Sequence, residues 1–240
     1  VDICVYLKQA NKVFKIEKHT HNYPHCWRTD KPILYYPLDS WFIRTTAIKD
    51  RMIELNKTIN WKPEATGSGR FGNWLENLVD WNLSRSRYWG TPLPIWRTED
   101  GKHEICISSV EMLSNEIEKS IAAGYMKENP YKDHKNYDSF DLHRPYIDSV
   151  ILVAPNGEKM TRESDLIDVW FDSGAMPYAQ VHYPFDCNDE QLANNFPADF
   201  IAEGVDQTRG WFFTLHAIAT LCFDTISFKN VVSNGLVLDK

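Results

Sequence analysis

From residue 166 onward the apolar residues change period in a fixed order, and that order restricts the fold more than any other feature of the chain. Residues 166–171 and 198–202 are short apolar runs bounded by turn-formers, which predicts strands. Residues 206–223 carry an apolar stretch of helical length, and residues 230–238 form a third strand-like run. Strand, helix, strand at this spacing is the pattern of a parallel βαβ unit, because neighbouring parallel strands need a crossover that is usually a helix.

The stretch FIAEGVDQTRGWFFTLH interrupts this pattern with polar residues at one point. If its first residues are a central parallel strand, Glu203 and Gly204 lie at the carboxyl end, where open α/β sheets bind ligands. Asp206 and Gln207 then open a helix whose free N–H groups favour negative charge. Carboxylates here suit sugar hydroxyls, Gln207 can donate and accept, and Trp211 offers an apolar face to the same crevice. The plainer alternative is a helix capped by Asp206 with Trp211 in the core. A second cluster, DVWFDSG (168–174), reads as another strand end with Trp170 beside Asp172, or else as a core tryptophan and a turn. In a third, SRSRYWG, Arg85 and Arg87 would share one face of a strand, as an anion or RNA-phosphate contact or as surface ion-pair partners.

The rest of the chain reads less regularly. Residues 1–36 alternate in the manner of strands (3–7, 13–16 and 33–36), with a hairpin loop at 9–12. Trp41, Thr45, Ile48, Met52, Leu55 and Ile59 recur at helical spacing, with Asp39 or Ser40 as cap, and Pro63 and the glycine-rich 66–69 close that unit. Residues 97–165 are expected to be a small insertion. It holds one helix opened by Ser108 with Glu111 in capping-box spacing, an apolar face of Leu113, Ile117 and Ile121, and Gly124 at the C-terminal cap.

A net charge of −7 argues against a general grip on nucleic acid, although residues 1–35 are net +3. Five scattered cysteines without a CxxC pair suit reduced thiols in a cytoplasmic protein. His19, His21, His25 and Cys26 lack partners to complete a zinc tetrahedron, so no zinc is expected. No run of apolar residues is long enough for a membrane span, and neither a GxxxxGK[ST] nor a GxGxxG loop is present. Val1 in the place of Met, and an apolar run ending at Lys240, read as a segment of a longer protein.

PHCWRTDKPILYYPLDSWFI, NWLENLVDWNLSRSRYWGTPLPIW, DVWFDSGAMPYAQVHYPF, FPADFIAEGVDQTRGWFFTLH and NVVSNGLVLDK follow one another in an order that resembles the isoleucyl-tRNA synthetases, a family of class I aminoacyl-tRNA synthetases. Only residues 97–165 match loosely. The resemblance implies an internal fragment with an α/β, Rossmann-type fold. Residues 1–40 would be the terminal β-strands of an inserted editing domain, 41–96 the return into the catalytic domain, 97–165 a connective α+β insertion and 166–240 the second half of the parallel sheet. It further implies that isoleucine is activated with ATP, as its Mg2+ complex, and passed to tRNA(Ile). Glu203, Gly204 and Asp206 then resemble the group on the adenylate ribose, and Gln207 the contact to the amino group. Trp170 and Trp211 resemble the indoles walling the side-chain pocket, with Asn234 and Gly235 near the adenine. Valyl- and leucyl-type synthetases share this architecture, and a non-catalytic paralogue binding RNA or protein is the alternative of another class. The HIGH-type and KMSKS-type phosphate motifs, the editing-pocket motifs and the family's zinc-knuckle cysteines are not in this sequence, so the segment alone is expected to be inactive.

Overall fold

The computed structural model describes residues 2–236, and the chain divides into two units, Val1–Asp39 and Ser40–Lys240. In the first unit, Asp2–Gln9 is a helix with no buried residue, and among the described residues the only pairing is an antiparallel bridge between His25 and Pro32. The strands expected at 3–7, 13–16 and 33–36 are therefore not formed. A strand needs a partner edge for its N–H and C=O groups, whereas a helix satisfies most of its own locally.

The second unit is built on the predicted βαβ. Ile201–Gly204 pairs in parallel with Asn230–Asn234, and the latter pairs in parallel with Asn60–Lys62, so the last strand in sequence is central. The strand expected over 230–238 ends at Asn234 within the described residues, and Val237 and Leu238 lie outside them. Trp211–Phe223 is the crossover helix, and residues 212–220 are all buried. A helix apolar on every side must be enclosed. Here the enclosure comes from Val169–Ala179, Lys49–Asn56 and a core containing Met52, Trp61, Phe71, Leu75 and Phe228.

Three boundaries differ from expectation around this core. The helix expected from residue 41 is a short strand (Phe42–Ile43), a 3-10 turn (Thr45–Ile48) and then Lys49–Asn56, capped by neither Asp39 nor Ser40. The glycines at 66–69 do not end the unit but form a π-helical turn, Thr66–Phe71, that runs into the helix Gly72–Glu76. Gly67 is there because a Cβ would come within 2.2 Å of the Trp61 ring, which Asn56 fixes by accepting from Trp61 Nε1 at 2.9 Å while donating to the Gly67 carbonyl at 3.0 Å. Third, the strand at 166 is only Leu166–Ile167, antiparallel to Ser84–Arg85, and DVWFDSG begins a helix.

A second core lies in an antiparallel sheet ordered Glu104–Cys106, Ile95–Arg97, Lys159–Arg162, Ile151–Val153, covered by the helix Val110–Ala122. Leu113 and Ile117 face this core as expected, and Gly124 follows with φ +83°. The cap is Ser109, accepting from Met112 N–H at 3.1 Å, one residue later than the expected Ser108. Arg162 runs through this layer with its side chain only 1% exposed, held by Asp148 at 2.8 Å and by the Leu93 carbonyl at 3.2 Å.

Candidate active site

The carboxyl ends of the parallel strands gather the residues singled out from sequence. Glu203 stands opposite Ser233 and Gly204 opposite Asn234, so Asn234 and the following Gly235 lie one strand spacing from the Glu203–Gly204 pair. The Asp206 carboxylate folds back over the strand end, its Oδ1 2.5 Å from where a Cβ on Gly204 would stand. The other oxygen of Asp206 accepts from Gln207 Nε2 at 3.1 Å. Glu203 is exposed, and among the described residues its carboxylate has no partner.

The helix expected from Asp206 is split. Val205–Arg209 is a 3-10 turn, and the α-helix begins at Trp211 after Gly210. Asp206 makes no cap bond; instead Gln207 Oε1 accepts from the Trp211 N–H at 3.0 Å. The break keeps Asp206 and Gln207 at the strand end rather than winding them into the helix.

Both tryptophans converge on the same turn. A Cβ on Gly210 would lie 3.2 Å from the Trp170 ring and 2.8 Å from Gln207 Oε1, so this glycine lets indole, amide and backbone meet. Trp211 is half-buried and donates Nε1–H to the Ser173 carbonyl at 3.1 Å. Trp170 is 41% exposed, in the first turn of the helix Val169–Ala179. Trp170 and Asp172 are therefore in a helix and not at a strand end. A short apolar run does not separate the two by periodicity, and the Asp168 cap decides it.

Sequence reasoning passed over Asp168. Almost fully buried, it accepts from the Trp170 N–H (3.3 Å), Trp81 Nε1 (3.1 Å) and Arg85 Nη2 (2.7 Å), which fixes where the helix carrying Trp170 begins. Arg85 is consequently an ion-pair partner, while Arg87 lies beyond the strand and donates to the Ser86 carbonyl. One turn on, burial lifts the Asp172 carboxyl above its ordinary range, against a hydrogen bond to Thr91 and with Asp168 pushing the same way.

The arrangement brings hydroxyl-accepting carboxylates, an amide that donates and accepts, and two indoles to one turn. Such a set suits a ligand that is part sugar and part apolar side chain. Among the described residues no cluster of three or more His, Cys, Asp or Glu could hold a metal; His19, His21, Tyr23 and His25 form a run of ring contacts instead. A cavity of about 770 Å³ lies elsewhere, between residues 91–96, 107–113 and 182–186.

The model for class I tRNA synthetases (I, L, M and V) matches residues 7–240. The isoleucine–tRNA ligase of Bacteroides thetaiotaomicron is 73% identical over 100% of this chain and 22% of its own length. That of Porphyromonas gingivalis is 70% identical, again over 100% and 22%. The chain thus spans about a fifth of the length of these relatives. A crystal structure of Mycobacterium tuberculosis methionyl-tRNA synthetase bound by methionyl-adenylate aligns with 88% of this chain and 29% of its own at 13% identity and a TM-score of 0.45, too loosely to argue from.

Proposed function

Because the chain belongs to the class I tRNA synthetases of the I, L, M and V group, we propose that it forms part of an isoleucine–tRNA ligase. In this reading the whole protein activates isoleucine with ATP, taken as its magnesium complex, releases pyrophosphate and transfers the isoleucyl group to tRNA(Ile). The observation that carries the reading is the convergence of Glu203, Asp206, Gln207, Trp170 and Trp211 on the turn that follows the Ile201–Gly204 strand.

Each residue then has a task set by its chemistry. The free carboxylate of Glu203 accepts from the adenylate ribose hydroxyls, with Gly204 and the folded-back Asp206 completing that wall. Gln207, whose Oε1 is already anchored on Trp211 N–H, meets the amino group of isoleucine. Trp211, held by Ser173, and Trp170, held through Asp168, enclose the branched side chain, while Asn234 and Gly235 border the adenine. One methylene separates isoleucine from valine. Isoleucyl-tRNA synthetases are themselves the standard illustration of how little an apolar pocket gains from that difference, about 1–3 kcal/mol. The reading places the protein in the cytoplasm, where its five free cysteines suit a reducing compartment.

The test is pyrophosphate exchange by the full-length protein with isoleucine, valine or leucine in turn. Strong exchange with isoleucine and weaker exchange with valine is expected. Preference for valine or leucine would reassign the pocket, and no exchange with any of the three would sink the reading.

A further inference from the structure

Behind the same turn lies a second set of polar residues that the adenylate reading does not use. Arg70 in the π-helical turn, Asn73 and Trp74 in the helix Gly72–Glu76, and Asn77 at its C-terminal cap lie on one side of this stretch. With Arg209 they line a pocket of about 360 Å³ that contains no carboxylate. Arg209 stacks over Trp74, its guanidinium carbon 5.3 Å from the ring centroid. Arg70 is oriented by donating Nε–H to Thr208 Oγ1 at 3.0 Å. Among the described residues neither guanidinium meets an acid, and Trp74 Nε1 is buried without an acceptor.

Two exposed arginines without an acidic partner, in a pocket that contains no carboxylate, offer their charge to an anionic ligand. We infer that this pocket binds a backbone phosphate of RNA, and, resting on the reading above, that the RNA is the tRNA acceptor of the isoleucyl group. The two guanidinium groups match phosphate oxygens, and the amide of Asn73 and the amide oxygen of Asn77, whose Nδ2 is bonded to the Asn73 carbonyl, can meet a 2′-hydroxyl. Free polyphosphate shares the phosphate chemistry but gives the amides no hydroxyl to read. The turn Val205–Arg209 then faces two ways, with Asp206 and Gln207 toward the adenylate and Arg209 toward the RNA that receives its acyl group.

The test is binding of a tRNA(Ile) transcript to the full-length protein across a series of KCl concentrations. Arg209→Gln should weaken binding about tenfold at moderate salt and lower the slope of log Kd on log [salt] by about 1. Asn77 is exposed and lines the same pocket without bonding Arg70, and because its Nδ2 donates to the Asn73 carbonyl at 2.8 Å the unfolding midpoint of each variant is measured beside its binding; Asn77→Asp should weaken binding and Asn77→Lys tighten it. Unchanged affinity and slope in Arg209→Gln and in both Asn77 variants would overturn the inference. So would intact tRNA binding with a raised KM for ATP in pyrophosphate exchange, which would mark the pocket as a site for free nucleotide phosphate. Pyrophosphate exchange requires no tRNA. Its absence in the wild type would therefore sink the ligase reading, while the effect of Arg209→Gln on RNA binding would still report on the pocket.

Discussion

The antiparallel layer of residues 95–162 and the parallel layer built on Ile201–Gly204 are both well packed, yet they treat polar atoms in opposite ways. In the antiparallel layer Arg162 is locked by Asp148 and three carbonyls, Trp96 Nε1 donates to the Val150 carbonyl at 2.9 Å, and Ser120 donates to the Ile151 carbonyl at 2.6 Å. All four buried side-chain atoms without a partner among the described residues, on Trp74, Tyr178, His216 and Ser233, belong to the parallel half, as do the unpaired Glu203 and Arg209. An unmade buried hydrogen bond costs about 1–3 kcal/mol. The four buried atoms are closed to solvent, whereas Glu203 and Arg209 are exposed and so open to a ligand.

The sharpest way to break this contrast is to unlock Arg162. Burial works to raise the Asp148 carboxyl, but its bonds to Arg162 and Arg144 prevail and hold it below the usual carboxylate range. Asp148→Asn strands a buried guanidinium and should cost about 3–5 kcal/mol in denaturant unfolding. Isoleucine-dependent exchange by the surviving folded fraction should be little changed.

The next largest effect concerns pH. His216 is fully buried, and burial drives its pKa down to about 4, against the single bond from Nε2–H to the Met52 carbonyl at 2.9 Å. The unfolded state takes up the proton first, so this contribution is complete above pH ~6.5 and is lost as pH falls toward 4, about 3 kcal/mol in all. Unfolding curves between those pH values should show the slope in the wild type and a flatter one in His216→Leu. Gly67→Ala should follow at about 1–3 kcal/mol, because the new methyl runs into a Trp61 ring that Asn56 holds in place. Smallest in stability is Glu203→Gln. This exposed carboxylate has no protein partner among the described residues, so the variant's melting temperature should stay within the equivalent of about 0.5 kcal/mol.

The crossover unit was legible because residues 211–223 form a mostly apolar stretch too long for a strand, without Asp, Glu, Lys or Arg, flanked by two short runs. The position of Glu203, Gly204, Asp206 and Gln207 at a strand end was legible for the same reason, since polar residues interrupt the pattern there. Legibility failed where local pattern and tertiary partners disagree. Residues 2–9 carry strand-like residues but have no partner edge among the described residues, and they wind into a helix. Gly67 looks like a chain breaker, yet it is chosen by the distant demand of Trp61 for space. Asp168 escaped notice because its three donors come from residues 81, 85 and 170, a convergence that no sequence window contains. The i, i+3, i+4, i+7 spacing of Arg70, Asn73, Trp74 and Asn77 was readable, but it acquires meaning only when Arg209 closes over it.

The central claim is that polar groups left unpaired at the ends of the parallel strands are reserved for an adenylate. The most direct measurement is calorimetric binding of a non-hydrolysable isoleucyl-adenylate analogue to the full-length wild type and to Glu203→Gln. The predicted result is a loss of about 10- to 100-fold in affinity, as for a charged hydrogen bond removed, with an unchanged melting temperature. Equal affinity in the two proteins would contradict it, and Glu203 would then be no more than an exposed carboxylate at the end of a strand.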